Sequence, residues 1–400
     1  MEKIRVMLVI PKLSSGGIER VASNFSLGLD NNKFNQSIYS IMPQSESYEF
    51  SVPVHILDRN ISNGFFGKLL NFFHRIFYLR KLIKNEEPDV IISFGERCNI
   101  ISLLTPTKAK KLITIHSRLS IENNTKGMYG KIQGSFSKLV YRFADRIVTV
   151  SNVVKSDVVE YLGVSDSKVD VIYNGFDIDK IKRLSNEECQ GVEGMYFLAV
   201  GRITFAKGYP HLIRALSSVI KRIPEIKVFV AGGIELDGQM PILDELIAYY
   251  GLEDNIFFLG ELENPYPYIK GAKALLMTSI FEGFPGVVIE SLSCGTPVIS
   301  TDCGGGTEVI LSNHQENALN PCGIKISKLG VITPPMMHDI DLKGPLSESE
   351  IKFGNAMELA YINSDIFERE LLLSKAKCYS NQTMVDSYQK VIEAMLSKNE

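Results

Sequence analysis

Short apolar runs recur along this chain, and stretches with helical spacing separate them. The runs are rich in Val, Ile and Leu, as expected of parallel strands that are buried on both faces. The first series of predicted strands comprises residues 4–10, 89–93, 111–115, 146–150 and 169–172. The second series comprises residues 195–200, 226–231, 256–259, 274–277 and 297–300, with helices predicted at 208–222 and 240–250. This alternation predicts the α/β class with doubly wound parallel sheets.

Two such series in a chain of 400 residues predict two Rossmann-like domains, because one hydrophobic core seldom organises so long a chain. Asn174-Gly175, a turn signal directly after the last strand of the first series, indicates the joint. We predict a first domain at 1–180, a second at 181–380 and a C-terminal segment at 381–400. The last segment has helical spacing over 381–397 and is expected to pack back on the first domain. Residues 323–350 follow no clean period.

Composition is that of a globular protein in an aqueous compartment, with 45% hydrophobic residues, 22% charged residues and a net charge of −3. No window approaches eighteen consecutive apolar residues, so no transmembrane helix is predicted. The N-terminal run imitates a signal peptide, but Arg5 interrupts it and no small-residue cleavage site follows, which favours a strand. Six scattered cysteines without a C-x-x-C pair are typical of reduced thiols and indicate a cytoplasmic protein.

The charges are distributed unevenly along the chain. Residues 1–180 hold 24 Lys and Arg against 18 Asp and Glu, a net +6, whereas the remainder has a net −9. The first half is therefore expected to meet something anionic. Nucleic acid is disfavoured, because no basic tract with interleaved aromatic residues and no known binding module is present.

Residues 65–84 are both apolar and basic. Their cations meet no acidic residue before Glu86. Such a helix can lie in an anionic membrane interface, which predicts a peripheral protein on the inner face of the cytoplasmic membrane. The alternative is a core helix whose lysines extend to solvent. The cations in question are Lys68, Arg75, Arg80, Lys81 and Lys84.

Two glutamates, Glu282 and Glu290, stand in an otherwise apolar segment. Pro285 suits the first position of a helix, so the loop before it would lie where a strand ends and a helix begins. The amides of Gly286, Val287 and Val288 would attract an anion there. Glu282 would then face a neutral polyol, and Glu290 would accept hydrogen bonds from a ribose. The alternative is an ordinary loop carboxylate and a glutamate on a solvated helix face.

Glu282 to Glu290, E-G-F-P-G-V-V-I-E, resembles the E-x7-E motif of retaining GT-B glycosyltransferases, specifically glycosyltransferase family 4. Four further segments resemble motifs of that family in the same order. They are residues 14–20 (S-S-G-G-I-E-R), 171–177 (V-I-Y-N-G-F-D), 200–208 (V-G-R-I-T-F-A-K-G) and 297–310 (P-V-I-S-T-D-C-G-G-G-T-E-V-I). The resemblance implies the GT-B fold, with two Rossmann-like domains facing across a cleft and a nucleotide sugar held mainly by the second.

Roles for individual residues follow from this resemblance. Arg202 and Lys207 would hold the donor diphosphate, whose charge grows as the glycosidic bond breaks. Gly16 and Gly17 would approach the sugar phosphates, and His116, at a strand end, would contact the donor sugar. A structural role for a lone histidine is equally open. The loop 258–262, ending at Leu262, would hold the nucleotide base through its backbone.

Three other features have weaker interpretations. Glu96 and Arg97 follow the strand 89–93 and are candidates for acceptor contacts. The segment 304–308 (G-G-G-T-E) is suited equally to tight packing and to ligand contact. Asp177-Ile-Asp179 and 339–341 (D-I-D) each spell the D-x-D of metal-dependent transferases of another fold, but neither context supports a metal site. We therefore expect no metal and no cofactor.

The function that these features predict is transfer of a hexose or N-acetylhexosamine with retention of configuration. The acceptor would be a lipid-pyrophosphate-linked sugar or an oligosaccharide, and the pathway lipopolysaccharide O-antigen or capsule synthesis. A nucleotide-sugar epimerase or hydrolase on the same frame remains an alternative, as does a nucleotide-sugar-binding regulator. An NAD dehydrogenase is disfavoured because no strand is followed by G-x-G-x-x-G.

Overall fold

A computed structural model describes residues 2–13, 16–42, 48–57, 64–125, 127–235, 237–311, 323–338 and 341–397. Ser14, Ser15 and Asp339, which belong to motifs quoted above, lie outside these residues. The chain divides into two compact units. Unit 1 comprises residues 1–176 and 380–400, and unit 2 comprises 177–379, compared with predicted joints after 180 and 380.

Unit 1 is built on a seven-stranded parallel sheet with the strand order β3-β2-β1-β4-β5-β6-β7. Because the chain turns one way from β1 to β2 and β3 and the other way from β4 onward, β1 and β4 flank the switch point of this sheet. The strands are β1 Ile4–Ile10, β2 Phe34–Ser40, β3 Val54–Ile56, β4 Val90–Phe94, β5 Lys110–Ile115, β6 Arg146–Thr149 and β7 Val169–Val171.

Helices cover the sheet of unit 1, and the C-terminal helix joins them. Phe25 of α1 meets Tyr388 of α15 edge to face, with ring centroids 5.0 Å apart. Val385 packs so closely on Gly28 that a side chain there would collide with it. The helices are α1 Gly17–Gly28, α2 Phe65–Glu86, α3 Glu96–Leu104, α4 Leu119–Thr125, α5 Gly127–Tyr141, α6 Asn152–Leu162 and, from the C-terminal segment, α15 Asn381–Ser397.

Unit 2 repeats the arrangement with the strand order β10-β9-β8-β11-β12-β14-β13. All described pairs are parallel except β13 with β14, and β8 and β11 flank the switch point. The strands are β8 Phe197–Val200, β9 Val228–Ala231, β10 Ile256–Gly260, β11 Leu275–Met277, β12 Val298–Thr301, β13 Lys325–Ser327 and β14 Gly330–Thr333. Two Rossmann-like α/β units with parallel sheets confirm the predicted fold class.

The helices of unit 2 enclose its sheet, and α8 is buried along most of its length. They are α7 Ile178–Leu184, α8 Tyr209–Val219, α9 Gln239–Tyr250, α10 Tyr266–Gly271, α11 Gly286–Cys294, α12 Thr307–Leu311, α13 Glu348–Ile362 and α14 Arg369–Lys377. Short 3-10 helices at Asp166–Lys168, Phe205–Lys207 and Ser364–Ile366 complete the two units.

A buried ionic network fixes the segment around residues 341–350, for which the sequence offered no prediction. Arg214 of α8 is fully buried and donates to both carboxylate oxygens of Glu350. Its remaining nitrogen–hydrogen groups reach the carbonyls of Leu342, Gly344 and Pro345. One guanidinium therefore holds an irregular loop against α8, because it donates hydrogen bonds to loop carbonyls that are not paired in a β-sheet.

Candidate active site

The side chains of Lys207 and Glu282 meet at the switch point of unit 2. Lys207 follows β8 and Glu282 follows β11, and because these parallel strands are neighbours their carboxyl ends lie at one edge of the sheet. Lys207 Nζ lies 2.7 Å from Glu282 Oε1. The two side chains are 24% and 17% exposed, so the pair is largely desolvated yet open to a ligand. The structure thus brings together two residues that were predicted separately.

The turn after β8 fixes where Lys207 points. Residues Phe205–Lys207 form one 3-10 turn that ends at Gly208 in the left-handed conformation, with φ of 62°. A Cβ at Gly208 would lie 2.2 Å from the Thr278 carbonyl oxygen, so only glycine permits this approach of the two loops. The Thr278 hydroxyl donates to the Lys207 carbonyl at 3.1 Å. The loops after β8 and β11 are therefore locked together beneath the ion pair.

Sequence reasoning missed Ser279, which holds Glu282, and Thr301, which holds Ser279. The buried hydroxyl of Ser279 donates to Glu282 Oε1 at 3.0 Å, and Thr301 donates to the Ser279 carbonyl at 2.7 Å. A Cβ at Gly305 would lie 2.7 Å from Glu282 Cβ, so the glycine segment 304–306 serves close packing against the glutamate. The sequence signal for this contact was a hydroxyl residue, Ser279, between the end of β11 and the loop of Glu282. Both described hydrogen bonds to the Glu282 carboxylate reach Oε1, and neither uses Oε2.

Arg202 lies in the same loop as Lys207 and is mostly exposed. Its guanidinium pairs with Glu235 at 2.5 Å. An arginine with this exposure is free to exchange a carboxylate for a phosphate, to which its planar fork is equally suited. Its predicted role toward the diphosphate stays a prediction.

Helix α11 begins one residue later than the sequence suggested. Pro285 is the residue before the helix, with ψ of 88°, rather than its first residue. The amide of Val288 donates to the Pro285 carbonyl at 3.0 Å, which corrects the expectation that all three first-turn amides face a ligand. Gly286 and Val287, both partly exposed, keep their predicted role in anion binding.

Glu290 is buried inside unit 2 and does not lie on a solvated helix face. Its Oε1 accepts a hydrogen bond from the Tyr266 hydroxyl at 3.3 Å. The ordinary surface interpretation of this residue is therefore wrong. Its contact with a ribose stays a prediction. Leu262 lies partly exposed two residues after β10, and the backbone contact of its loop with the nucleotide base also stays a prediction.

Gly16 and Gly17 precede and begin α1 at the switch point of unit 1. The Glu19 carboxylate is buried against Gly16, where a Cβ would lie 2.0 Å from one of its oxygens. The protein itself therefore places a negative group at this helix N-terminus. Close packing of the Glu19 carboxylate explains why position 16 is a glycine. A Cβ at Gly17 would meet no atom of the described residues within 4 Å, so this position stays open to a ligand.

His116 follows β5 and lies partly buried. Burial lowers its pKa to about 4, so the imidazole is neutral at neutral pH. Nε2 lies 2.9 Å from the Thr114 hydroxyl, which itself donates to the Ser93 carbonyl at 3.0 Å. Since the hydroxyl proton is used there, Nε2 carries the imidazole hydrogen and Nδ1 is the acceptor. A neutral acceptor of this kind suits a sugar hydroxyl, the contact predicted for it.

Glu96 and Arg97 begin α3, after β4, and differ in their surroundings. Glu96 accepts hydrogen bonds from Gln133 and Ser137 of α5, at 2.5 and 3.0 Å, and so joins α3 to α5. This structural use leaves less of the carboxylate for an acceptor substrate. Arg97 is exposed and has one described contact, to Met42 Sδ at 3.2 Å, so it remains the better candidate.

Comparison with known proteins identifies the chain at this point. Residues 15–180 match the family model described as Glycosyltransferase Family 4, and residues 183–325 match that described as Glycosyl transferases group 1. The solved structure of Anabaena HepE with UDP and glucose superimposes with a TM-score of 0.73 over 98% of this chain and 99% of HepE, at 18% identity. The chain is a GT-B glycosyltransferase.

Relatives of this glycosyltransferase span most of its length. An uncharacterized glycosyltransferase of Methanocaldococcus jannaschii is 28% identical over 80% of this chain and 83% of the relative. The N-acetylgalactosamine-N,N'-diacetylbacillosaminyl-diphospho-undecaprenol 4-alpha-N-acetylgalactosaminyltransferase of Campylobacter jejuni is 28% identical over 79% of this chain and 85% of the relative. Both matches therefore extend over most of each chain and are not confined to one domain.

The D-x-D segments of the glycosyltransferase have structural uses where they are described. Asp177 precedes α7 and accepts a hydrogen bond from the Lys180 amide at 2.9 Å, as a helix cap does. Asp341 accepts from the Lys343 amide at 3.1 Å. Across the described residues, no three His, Cys, Asp or Glu side chains come together as metal ligands would. Metal independence itself stays a prediction, to be tested by chelation.

Ser279 provides a test of how Glu282 is positioned. We expect Ser279→Ala to lower kcat about tenfold, because a hydrogen bond to a charged group contributes roughly 1.5–3 kcal/mol and orients the carboxylate. Ser279→Thr keeps a hydroxyl and should recover most of the activity. The measurement is steady-state transfer by each variant, with KM for the donor determined separately from kcat.

A double-mutant cycle separates positioning from a general loss of structure. If Ser279 acts through Glu282, Ser279→Ala should cost little further activity in a Glu282→Ala background. An equal loss in both backgrounds would show that Ser279 supports the loop and not the carboxylate.

Proposed function

We propose that this glycosyltransferase moves a hexose or N-acetylhexosamine from a nucleotide sugar to a lipid-pyrophosphate-linked glycan, with retention of configuration, in bacterial surface polysaccharide synthesis. The observation that carries the proposal is the Lys207–Glu282 pair at the switch point of unit 2. A cation beside a carboxylate suits a substrate that joins a diphosphate to a polyol. The cation pairs with the diphosphate, and the carboxylate accepts hydrogen bonds from the hydroxyl groups of the polyol. The Campylobacter relative, whose name specifies a diphospho-undecaprenol acceptor and an alpha linkage, supports the acceptor class.

The roles follow from the geometry of unit 2. Lys207 and Arg202 stabilise the charge that develops on the leaving diphosphate, with help from the amides of Gly286 and Val287. Glu282 Oε2 accepts hydrogen bonds from the donor sugar, because the described bonds from Lys207 and Ser279 both use Oε1. Lys207 has three hydrogens, so it can hold Glu282 and a phosphate oxygen together.

We further propose that the enzyme works at the inner face of the cytoplasmic membrane, where its acceptor would be anchored. No helix among the described residues is long and apolar enough to cross a bilayer. Attachment would therefore be peripheral, and the net charge of +6 over residues 1–180 favours an anionic surface.

Donor consumption tests the proposed function. Purified enzyme is incubated with UDP-, GDP- and ADP-sugars, with and without a lipid-pyrophosphate sugar acceptor, and in the presence of EDTA. We expect nucleotide release that depends on the acceptor and persists in EDTA, because Lys207, Arg202 and helix amides supply the positive charge without a metal. The anomeric configuration of the product, read by NMR, tests retention.

Other results would overturn parts of the proposal. Nucleotide release that is unaffected by the acceptor would indicate the epimerase or hydrolase. Activity lost in EDTA and restored by Mg²⁺ would contradict metal independence. An inverted product would leave transfer intact but exclude retention.

A further inference from the structure

Helix α5 of unit 1 presents its large apolar side chains to solvent. Their spacing of four, four, three and four residues is that of one helix face. Their exposed fractions lie between 40 and 74%, whereas a core helix would bury side chains of this kind. The five side chains are Met128, Ile132, Phe136, Leu139 and Phe143, the last lying just beyond the helix.

Small residues lie on the buried face of α5 until its last turn, where Val140 and Tyr141 are buried. A Cβ at Gly130 would lie 1.8 Å from the Asn123 carbonyl oxygen, and one at Gly134 would lie 2.1 Å from the Tyr161 hydroxyl. Ser137 also lies on this face and is fully buried. Over residues 128–139 the usual pattern of an amphipathic surface helix is therefore inverted, with small residues inside and large apolar ones outside.

Helix α2 has one face in the core of unit 1 and one face exposed. Both α2 and α5 pack against α3, so the three helices are neighbours in unit 1. The core-helix interpretation is confirmed for one face of this segment, whereas the membrane interpretation of the other face stays a prediction. The core face comprises Phe72, Ile76, Leu79 and Ile83. The exposed face comprises Leu69, Leu70, Phe73 and Phe77 and is continued by Arg80 and Lys84.

Charge and exposure together distinguish these two faces from ordinary surface. Nine of the seventeen exposed large apolar side chains in the described chain lie on them, which makes the distribution far from scattered. Residues 127–143 contain three Lys or Arg and no Asp or Glu. Residues 65–86 contain five Lys or Arg and one acid, Glu86. Apolar side chains interleaved with cations are the composition that binds an anionic bilayer interface.

We propose that the exposed faces of α2 and α5 form a two-helix surface that docks unit 1 on an anionic lipid bilayer. The inference deepens the proposed function, on whose lipid-linked acceptor it rests. The apolar side chains enter the boundary between head groups and acyl chains, and the lysines and arginines meet lipid phosphates. A neutral protein partner would not account for the near exclusion of acids from both helices.

Vesicle sedimentation of the full-length protein tests the surface. We expect binding to phosphatidylcholine vesicles that contain phosphatidylglycerol, and at least tenfold weaker binding to phosphatidylcholine alone. Ile132→Ser with Phe136→Ser should lower binding to the anionic vesicles at least tenfold. The matched control is Ile351→Ser with Ile362→Ser, two exposed isoleucines of unit 2 that should leave binding unchanged. Arg80→Gln with Lys84→Gln should remove the preference for anionic lipid, whereas Lys221→Gln with Lys227→Gln should keep it.

Several outcomes would overturn the inference. These are absence of binding to anionic vesicles, an equal loss in the control variants, or a dimer in light scattering that Ile132→Ser with Phe136→Ser dissociates. The last would show that a second copy of the chain covers the two-helix surface. Transfer to a water-soluble acceptor separates the two proposals, because the surface variants should keep it. Vesicle binding by a protein that transfers no sugar would overturn the proposed function alone.

Discussion

Replacing Glu282 by glutamine is expected to lower transfer on the order of a hundredfold, with little change in the stability of the fold. Removing one preorganised electrostatic partner in an active site typically has an effect of this size. The substitution keeps the shape of the side chain but removes its charge, so Lys207 loses its counter-ion and the donor sugar loses a charged acceptor. The measurement is kcat with a saturating donor and acceptor, accompanied by the thermal midpoint.

A matched substitution shows whether the effect belongs to the site. Glu358 of α13 pairs with Arg222 at 2.7 Å in the same unit, and both side chains lie at the surface. Glu358→Gln should leave transfer within about twofold, since surface pairs contribute roughly 0–1 kcal/mol. Comparable losses in the two variants would contradict an active-site role for Glu282. Donor binding that survives Glu282→Gln while transfer is lost would distinguish an enzyme from a nucleotide-sugar-binding regulator.

The sequence predicted ten of the fourteen described strands from their apolar residues and missed the other four. Strands β1 and β4–β12 were found because continuous runs of Val, Ile and Leu mark the interior of a parallel sheet. Strand β2 reads Phe-Asn-Gln-Ser-Ile-Tyr-Ser and was missed, because its polar residues are satisfied by tertiary contacts. The buried side chain of Gln36, for example, forms two hydrogen bonds with Ser26. Strand β3 has a histidine between its two apolar residues and β13 has a single isoleucine, so neither contains an apolar run. Strand β14 is buried but has only two adjacent apolar residues, Val331 and Ile332.

The sequence predicted those residues of the candidate site that follow the end of a strand, but not the contacts that they make. Lys207 and Glu282 follow neighbouring parallel strands of unit 2, which bring them to one edge of that sheet, and His116 follows a strand of unit 1. The hydrogen-bond partners of the site residues could not be predicted. Ser279 bonds to Glu282 and Gln133 bonds to Glu96 because the fold brings them within reach, and the sequence pattern contains no information on these distances. Glu290 shows the same limit, since its burial beside Tyr266 could not be distinguished in sequence from exposure on a helix.

The largest loss of stability is expected when the buried network of Arg214 and Glu350 is disrupted. Glu350 is fully buried, and burial alone would raise its pKa. Hydrogen bonds from His211, Arg214 and the Ser347 amide outweigh this effect and lower the pKa to about 2. Removing one partner leaves the other charge buried without compensation, which costs about 3–5 kcal/mol. We therefore expect Glu350→Gln to lower the free energy of unfolding of unit 2 by that amount, measured by urea unfolding and by amide hydrogen exchange in α8.

The pH dependence and a surface control make this prediction specific. Because the pKa of Glu350 is lower in the folded state, its contribution is complete above the unfolded value near 4.5. The contribution is lost as the pH falls toward 2. The difference between wild type and Glu350→Gln should thus be constant above pH 5 and shrink below it. Arg222→Met, which removes the surface pair with Glu358 and an exposed hydrogen bond to the Ser218 carbonyl, should cost under about 1 kcal/mol at every pH. If both variants were equally stable, Arg214 would hold the loop 341–350 through its bonds to carbonyls rather than through Glu350.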